Sequence, residues 1–363
     1  MRQCFSIGLF ALLVLSLPGC GGFRDTKPQL PGNLDTLCMP DYASGFEMYR
    51  YDSSTLLRIV NPWQGADSVS QWVFLSRDDE KPPKGFAGET IDVPVRRIVC
   101  MSSSYVAFLE ALGADSTICA ISGTGYIWSD KVRNRIAGGE IAEAGFDNSL
   151  NFEKLVALKP DVVFLYGLTG KNAVTDKLHE LGLKTVYIGD YVENNPLGRA
   201  EWITVFGEFT GRRELARTLF DSISNEYNRA KALVSGVEKR PEVMLNAPWQ
   251  DSWFVPGDRS YMVRLLEDAG GNYACRGVDS DQSRPISTET AFVAASQSDF
   301  WLSPGTATSL AELNAMNPRF GSIPPVRNGN VYNNNARTTP EGGSDFWESG
   351  SASPDRKLKD LIH

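Results

Sequence analysis

Strand-like and helix-like segments alternate along two separate stretches of this chain, and one long helical segment lies between them. The first stretch opens with the apolar run at 97–101 and ends with a strand-like run at 185–188. The second opens at 243–245 and continues to 300–302. Alternation of this kind predicts a mainly parallel sheet with helices on both faces, because parallel strands need a crossover connection. The chain is therefore predicted to be an α/β protein with two Rossmann-like lobes.

The segment between the two stretches has the apolar spacing of one long helix. After Gly211, apolar side chains recur at helical intervals at Leu215, Leu219, Ile223, Tyr227 and Ala230. Residues 212–235 would span about 36 Å, which is more than a crossover helix needs. We therefore predict an N-terminal lobe at 91–211, a linking helix at 212–236 and a C-terminal lobe at 237–363. Alternating strand-like runs at 46–90 predict an N-terminal β meander packed on the first lobe.

The first twenty residues differ in character from the rest. Arg2 is followed by an apolar run at 5–17 and then by Leu17-Pro18-Gly19-Cys20. The run has the length of a signal-peptide core and is too short for a membrane span. The tetrapeptide resembles the lipobox of bacterial lipoproteins, in which the signal peptide is removed and the cysteine is lipidated. We therefore predict a signal peptide at 1–20, a lipid anchor at Cys20, a tether at 21–45, and a location on the periplasmic side of a bacterial membrane.

Charge and motif content exclude several classes of function. The net charge is −8, and no cluster of Lys and Arg is present, which argues against nucleic acid as a partner. The sequence lacks G-x-S-x-G, H-E-x-x-H and G-x-G-x-x-G, and its only histidines are His179 and His363. These observations give no sign of an enzyme active site, and we predict neither a cofactor nor a metal site. An enzyme that uses paired carboxylates stays open, because 44 acidic residues always offer pairs.

The cysteines of the mature chain show no metal-binding or redox spacing. None of Cys38, Cys100, Cys119 and Cys275 forms a C-x-x-C pair. Cys100 and Cys119 lie in strand-like runs and are interpreted as small buried side chains. A disulfide between Cys38 and Cys275 stays open in an oxidising compartment.

The two stretches show a weak internal sequence similarity. Asn151-Phe152-Glu153 leads a short helix towards Asp161, and Ser287-Thr288-Glu289 leads another towards Asp299. In both, a polar residue takes the N-cap position and a Glu follows in the first turn. The interval from Glu to Asp differs by two residues, so the lobes are expected to be related in plan and different in detail.

Three segments together resemble one protein family. They are the run from Arg97 to Ser104 that leads to Glu110-Ala111-Leu112-Gly113, the run from Asn151 to Val163, and the long central helix. They look like the helix-linked periplasmic binding proteins of ABC importers for iron complexes, such as siderophores and haem, and for cobalamin. The run Pro196-Leu197-Gly198-Arg199-Ala200-Glu201-Trp202 is similar to the Bacteroidetes-type branch. The resemblance covers roughly residues 90 to 350.

The resemblance implies a ligand held in the cleft between two lobes, and delivery of that ligand to an ABC permease with its ATPase. It also implies one acidic docking residue on each lobe, at Glu153 and Glu289. We expect a monomer that binds a small-molecule metal chelate or a corrinoid. Two further classes stay open: a surface lipoprotein enzyme, and an accessory subunit of an outer-membrane uptake complex.

Ligands of open α/β sheets lie beyond the carboxyl ends of the strands, and this rule predicts the ligand wall. Aromatic rings suit a planar macrocycle, and an arginine suits an anionic chelate. Too few histidines are present for a bare zinc or manganese site. We therefore favour an iron complex, with cobalamin as the alternative. The predicted wall residues are Ser103, Tyr105, Tyr126, Phe146, Tyr166, Trp249, Arg284, Asn335, Phe346 and Trp347.

Overall fold

The computed structural model describes residues 35–146, 149–167, 170, 173–249 and 252–363, and the predicted anchor residue Cys20 lies outside them. The described chain begins with a five-stranded sheet in which β5 runs parallel to β4 and the other neighbours are antiparallel. The prediction of a tether up to residue 45 is wrong from residue 35 on, because a four-residue strand is too short to show an alternating pattern. The strands are β1 (Asp35–Cys38), β2 (Phe46–Tyr51), β3 (Ser54–Val60), β4 (Ser70–Ser76) and β5 (Glu89–Asp92).

We call this five-stranded sheet the meander. Hydrogen bonds between side chains and backbone groups attach it to the first lobe. Two buried carboxylates, Glu201 and Glu193, accept hydrogen bonds at 2.8 to 3.0 Å from the five consecutive backbone N–H groups of residues 41–45. Gln71 of β4 donates to the Thr185 carbonyl and accepts from the Tyr187 N–H, both at 2.9 Å. Its amide pairs with the lobe's edge strand as a neighbouring strand would.

The first lobe is a five-stranded parallel sheet in the order β10-β9-β6-β7-β8. Most of its strand residues are fully buried, as expected for a parallel sheet covered on both faces. Its strands are β6 (Ile98–Cys100), β7 (Ile118–Ile121), β8 (Ala142–Glu143), β9 (Val162–Leu165) and β10 (Thr185–Tyr187), and its helices are α1 (Ser103–Ala111), α2 (Asp130–Ala137), α3 (Phe152–Leu158) and α4 (Ala173–Glu180).

Three helices lead out of the first lobe: α5 (Pro196–Glu201), α6 (Ile203–Thr210) and the linking helix α7 (Arg213–Leu233). The apolar residues before Gly211 lie in α5 and α6, which meet at Trp202. The Trp202 indole is fully buried. The 21 residues of α7 correspond to about 31 Å. Glu214 in the first turn of α7 and Lys231 in the last complement the helix dipole.

The second lobe repeats the strand order of the first. Its four-stranded parallel sheet has the order β14-β11-β16-β17, which matches β7-β6-β9-β10 position by position. A small antiparallel sheet, β12-β13-β15, is added beside it. The strands are β11 (Glu242–Leu245), β12 (Pro248–Trp249), β13 (Ser252–Val255), β14 (Asn272–Tyr273), β15 (Arg284–Ser287), β16 (Phe300–Leu302) and β17 (Val331–Tyr332), and the helices are α8 (Tyr261–Asp268), α9 (Thr288–Ser296), α10 (Leu310–Met316), α11 (Pro324–Asn328) and α12 (Pro354–Ile362).

The chain crosses back to the first lobe after β17. This return segment, residues 333–352, ends at Ala352, which is packed in the core of the first lobe. Helix α12 then lies along α7, where Leu358 contacts Tyr227 and Ala230. The two lobes are thus connected by α7 and again by the return segment. Within the described ranges, no helix has the length and apolar content to cross a membrane.

Candidate functional site

The carboxyl ends of the first-lobe strands form an edge whose loops are fixed by one carboxylate. Glu143, at the end of β8, accepts hydrogen bonds from the backbone N–H groups of Gly123 (2.9 Å), Thr124 (2.7 Å) and Gly145 (2.8 Å). Burial raises the pKa of Glu143, but these donors outweigh burial and leave the pKa below its usual value. The ionised carboxylate therefore ties the loop after β7 to the loop after β8.

Each side of this edge carries a pair of aromatic rings. Tyr126 and Phe146 meet edge to face at 6.1 Å between centroids and are 43% and 48% exposed. Tyr166 and Tyr191 are stacked at 4.3 Å. Neighbouring strands of a sheet lie about 4.8 Å apart. The strand order therefore places the strands that lead into one aromatic pair about 10 to 20 Å from those that lead into the other. A flat ligand of that width would touch rings on both sides.

The amino end of α1 lies between the two pairs, and only part of it faces the edge. Ser102 caps the helix and Ser103 is partly exposed. Tyr105, by contrast, is fully buried and donates to the carbonyl oxygens of Leu165 (3.2 Å) and Ile188 (3.0 Å). Tyr105 thus supports the edge from inside the core and does not form part of the wall. A helix turns about 100° per residue, so the second residue after Ser103 points away from the cleft.

The second-lobe residues predicted for the wall are scattered more widely. Asn335 opens the return segment and donates to the Ala307 carbonyl at 3.2 Å. Arg284 lies at the start of β15, half-buried, and its Nε has no hydrogen-bond partner among the described residues. Trp249 ends β12, and its side chain lies outside the described residues. The structure brings Asn335 to the carboxyl edge of the second sheet and places Arg284 on the added antiparallel sheet.

Phe346 and Trp347 belong to a cluster of rings and cations where the lobes meet. Arg199 pairs with the fully buried Asp190 at 3.1 Å and stands 5.5 Å from the centre of the Trp347 ring. The Lys357 ammonium lies 4.0 Å from the Phe346 ring and 5.1 Å from the Trp347 ring. Burial raises the pKa of Asp190 and lowers that of Lys357. Trp347, 37% exposed, has surface free to reach a ligand at this junction.

The return segment touches the first-lobe edge directly. The buried carboxylate of Glu348 accepts from the backbone N–H groups of Trp128 (2.7 Å) and Ser129 (2.9 Å), at the start of α2. Burial raises the pKa of Glu348 to about 7 despite these donors. Gly343 lies so close to Tyr126 that a Cβ there would stand 2.0 Å from the Tyr126 carbonyl oxygen. Sequence reasoning gave no sign of this contact.

A cavity of about 850 Å³ lies elsewhere in the second lobe, between its parallel sheet and helices α8 and α12. Its apolar wall includes Phe300, Leu302 and Phe346. It lies against one face of the sheet and reaches the carboxyl ends of β16 and β17, where Ser303 and Asn333 line it together with the predicted wall residue Phe346. The part of the chain described here contains no group of three or more His, Cys, Asp and Glu side chains placed to hold a metal ion.

The two predicted docking residues occupy matching places. Glu153 and Glu289 are exposed in the first turns of α3 and α9, which are capped by the side chains of Asn151 and Ser287. The aspartates that follow also match. Asp161 accepts from the N–H groups of residues 96 and 97 before β6, and Asp299 from that of residue 242 at the start of β11. Helix α3 has seven residues and α9 has nine, which accounts for the difference in spacing.

Two parallel α/β lobes joined by one linking helix, with aromatic rings at the edge where they meet, define a solute-binding protein of the helix-linked type. The chain belongs to the periplasmic binding protein family, whose sequence profile matches residues 98–338. This result confirms the resemblance to helix-linked periplasmic binding proteins, and the Bacteroidetes-type branch stays a prediction. The family consists of binding proteins and not of enzymes.

Relatives and solved structures agree with this assignment. An uncharacterized lipoprotein of Methanocaldococcus jannaschii is 26% identical over 99% of this chain and 92% of its own length. A possible iron-binding solute-binding protein of Staphylococcus epidermidis has a TM-score of 0.58 at 20% identity, over 74% of this chain and 98% of its own. A haem-binding protein of Vibrio cholerae (0.58, 18%) covers the same shares, and a vitamin B12-binding protein of that organism (0.54, 12%) covers 74% and 96%. These likenesses establish the fold.

Proposed function

We propose that this protein is the substrate-binding lipoprotein of an ABC importer and that it captures an iron complex, a siderophore or haem, between its lobes. The observation that carries the proposal is the pair of aromatic contacts at the first-lobe edge, Tyr126 with Phe146 and Tyr166 with Tyr191. Stacking surfaces on two sides of a cleft suit a broad, flat or chelated ligand. Ser103, Asn335, Trp347 and, from the added sheet, Arg284 would complete the wall.

The same geometry accepts a corrinoid, which we keep as the second candidate because a vitamin B12-binding protein shares the fold. The positive charge of Arg284 distinguishes an iron chelate from a corrinoid as the ligand. A guanidinium with an unpartnered buried Nε favours an anionic chelate over a corrinoid of low net charge. Arg284→Ala is therefore expected to weaken binding of an anionic iron complex much more than binding of cobalamin.

Delivery requires a partner in the membrane and a way to stay near it. We propose that Glu153 and Glu289 contact the permease, because both are exposed and lie at matching places on the two lobes. We also propose that Cys20 carries a lipid anchor on the periplasmic side of the membrane. Absence of lipid on the amino-terminal peptide of the mature protein, measured by mass spectrometry, would rule out that anchor.

A thermal-shift screen tests the ligand class. Purified protein is heated with ferric siderophores, haem and cobalamin, and with bare Zn²⁺ and Mn²⁺ for comparison. A ligand present at 100 times its Kd stabilises the folded state by about 2.7 kcal/mol, which is visible as a raised Tm. We expect a shift with an iron complex. A shift with bare metal alone would contradict the proposal, and a shift with cobalamin alone would favour the second candidate.

A further inference from the structure

The loop between β3 and β4, residues 61–69, rests on the carboxyl ends of two first-lobe strands. Trp63 meets Tyr187 edge to face at 5.1 Å, and its ring lies 3.2 Å from where a Cβ of Gly170 would stand. Pro62 approaches Gly189 equally closely, with its Cα 3.2 Å from the corresponding Cβ position. The absence of side chains at these glycines lets this meander loop sit directly on the edge where ligands of such sheets lie.

The meander loop is held in one conformation. The N–H of Asn61 donates to the Val69 carbonyl at 2.8 Å, and the Asn61 side chain accepts from the Val69 N–H at 3.0 Å. The N–H of Gln64 donates to the hydroxyl of Tyr191 at 3.3 Å. Tyr191 is the ring stacked on Tyr166. Trp63 is therefore fixed next to one of the two aromatic pairs of the cleft.

A pocket of about 260 Å³ opens beside this loop, and three parts of the molecule line it. The meander provides Ser44, Asn61 and Trp63, the first lobe provides Glu193 and Asn194, and the second lobe provides Asp281. Its volume is large enough for one substituent of a ligand and too small for a whole chelate. Because Asp281 reaches it from the opposite lobe, the pocket lies at one end of the cleft between the lobes.

The lining selects the chemistry of that substituent. Its charged side chains are both carboxylates, and no Lys or Arg is among the lining residues. Glu193 already accepts from Ser44, Gly45 and Trp202. Asp281 is exposed and, among the described residues, forms neither an ion pair nor a hydrogen bond. A group that donates hydrogen bonds would meet a free carboxylate here, whereas a carboxylate arm would be repelled.

We propose that the meander loop, Asn194 and Asp281 form a subsite that takes a hydrogen-bond-donating arm of the ligand, an ammonium or a primary amide, with Trp63 extending the aromatic wall. This inference rests on the proposed function. The meander lies outside the matched family residues 98–338, and the Staphylococcus epidermidis structure covers only 74% of this chain with nearly its whole length. Only the meander part of the subsite is thus an addition to the matched family residues, which include Asn194 and Asp281, and the Methanocaldococcus jannaschii lipoprotein is aligned over 99% of this chain.

Binding titrations on the full mature chain test the subsite. The probes are ferrioxamine B, whose arm ends in an ammonium, its N-acetylated form, cyanocobalamin with its primary amides, and haem with two carboxylates. The variants are Trp63→Ala and Asp281→Asn. Tyr49→Ala serves as the control, because Tyr49 packs on Trp72 within a separate apolar cluster of the meander. Asp281 is exposed, so the Asp281→Asn chain is expected to fold.

We expect wild type to bind ferrioxamine B more tightly than its acetylated form, or else to bind cyanocobalamin. Trp63→Ala should raise the Kd about threefold to tenfold, the loss expected for one aromatic contact. Asp281→Asn should reduce the preference for the ammonium, and Tyr49→Ala should stay within twofold. Unchanged Kd values in both variants, or haem as the sole bound probe, would overturn the subsite and leave the proposed function standing. Binding of none of the probes, together with no shift by any iron complex or cobalamin in the thermal-shift screen, would overturn both.

Discussion

The two lobes share one strand order, yet they contribute to the cleft in different ways. In the first lobe, the loops at the edge are fixed by Glu143, and their aromatic rings are paired. In the second lobe, a three-stranded antiparallel sheet and the return segment are added around the edge. The return segment carries Gly343 and Glu348 onto the first lobe.

The difference between the lobes assigns permease docking and ligand recognition to different parts of the fold. Features set by the plan itself, such as Glu153 and Glu289 in matching first turns, recur in both lobes. Features set by loops and insertions do not recur, and these are the ones that we propose contact a ligand. We therefore expect symmetric docking of the permease and asymmetric recognition of the ligand.

Charge reversal at both docking residues should have the largest effect. Glu153→Lys with Glu289→Lys should abolish transport, because the charge of both proposed permease contacts would be reversed and complementarity with the permease would be lost. Ligand affinity should stay within about threefold, since neither residue is among the predicted wall residues. Uptake assays in cells and titration of the purified protein measure the two effects.

The two single variants measure how much each lobe contributes to docking. Symmetric docking requires that Glu153→Lys and Glu289→Lys reduce uptake to a similar extent. Lys154→Glu, next to Glu153 and also exposed, is a control that changes charge on the same helix. A large loss of ligand affinity in the double variant would contradict docking as the role of these residues.

Removal of the carboxylate at Glu143 should have the next largest effect and should fall on the first lobe alone. Glu143→Ala leaves three backbone N–H groups without their acceptor, which should lower the free energy of unfolding by about 2–4 kcal/mol. Affinity should fall at least about tenfold, because Tyr126 and Phe146 lose their fixed loops. Urea unfolding and titration check both values. Glu140→Ala is the matched control, since Glu140 is exposed and its carboxylate, among the described residues, bonds to Arg135 alone.

The fold of both lobes could be predicted from sequence, because buried parallel strands are continuous apolar runs and their crossover helices have a regular period. The edge could be predicted only in part. Tyr166 follows β9 directly, and Tyr126 and Phe146 lie in the loops after β7 and β8, whereas Tyr105 lies just after a helix start that turns it inward. The contact between Glu348 and Trp128 spans 220 residues and leaves no periodic signal. Trp63 was missed because its loop belongs to a different sheet.

Glu348 in the return segment should make the free energy of unfolding depend on pH, and this effect should be smaller than that of Glu143→Ala. The pKa of Glu348 is raised by burial to about 7, so the folded state holds this proton more tightly than the unfolded chain does. Its contribution to stability is full below the unfolded pKa of about 4.5 and is lost as pH rises through about 7. The free energy of unfolding should therefore fall by on the order of 2 kcal/mol between pH 5 and pH 8 from this residue.

The variant Glu348→Gln isolates that effect. Glutamine does not titrate in this range, so the decline between pH 5 and pH 8 should be smaller by the same amount. Chemical unfolding at several pH values measures the slope. An identical slope in wild type and variant would show that the return segment does not respond to pH through Glu348.

Backbone hydrogen exchange with and without the ligand found in the thermal-shift screen tests the central claim, that the ligand lies between the lobes, most directly. We predict slower exchange on both sides of the cleft at once, at Gly123, Thr124 and Gly145 of the first lobe and around Arg284 of the second. Exchange around Phe300 and Leu302, beside the 850 Å³ cavity of the second lobe, should not change. Protection confined to that cavity, with the first-lobe edge unaffected, would contradict capture between the lobes.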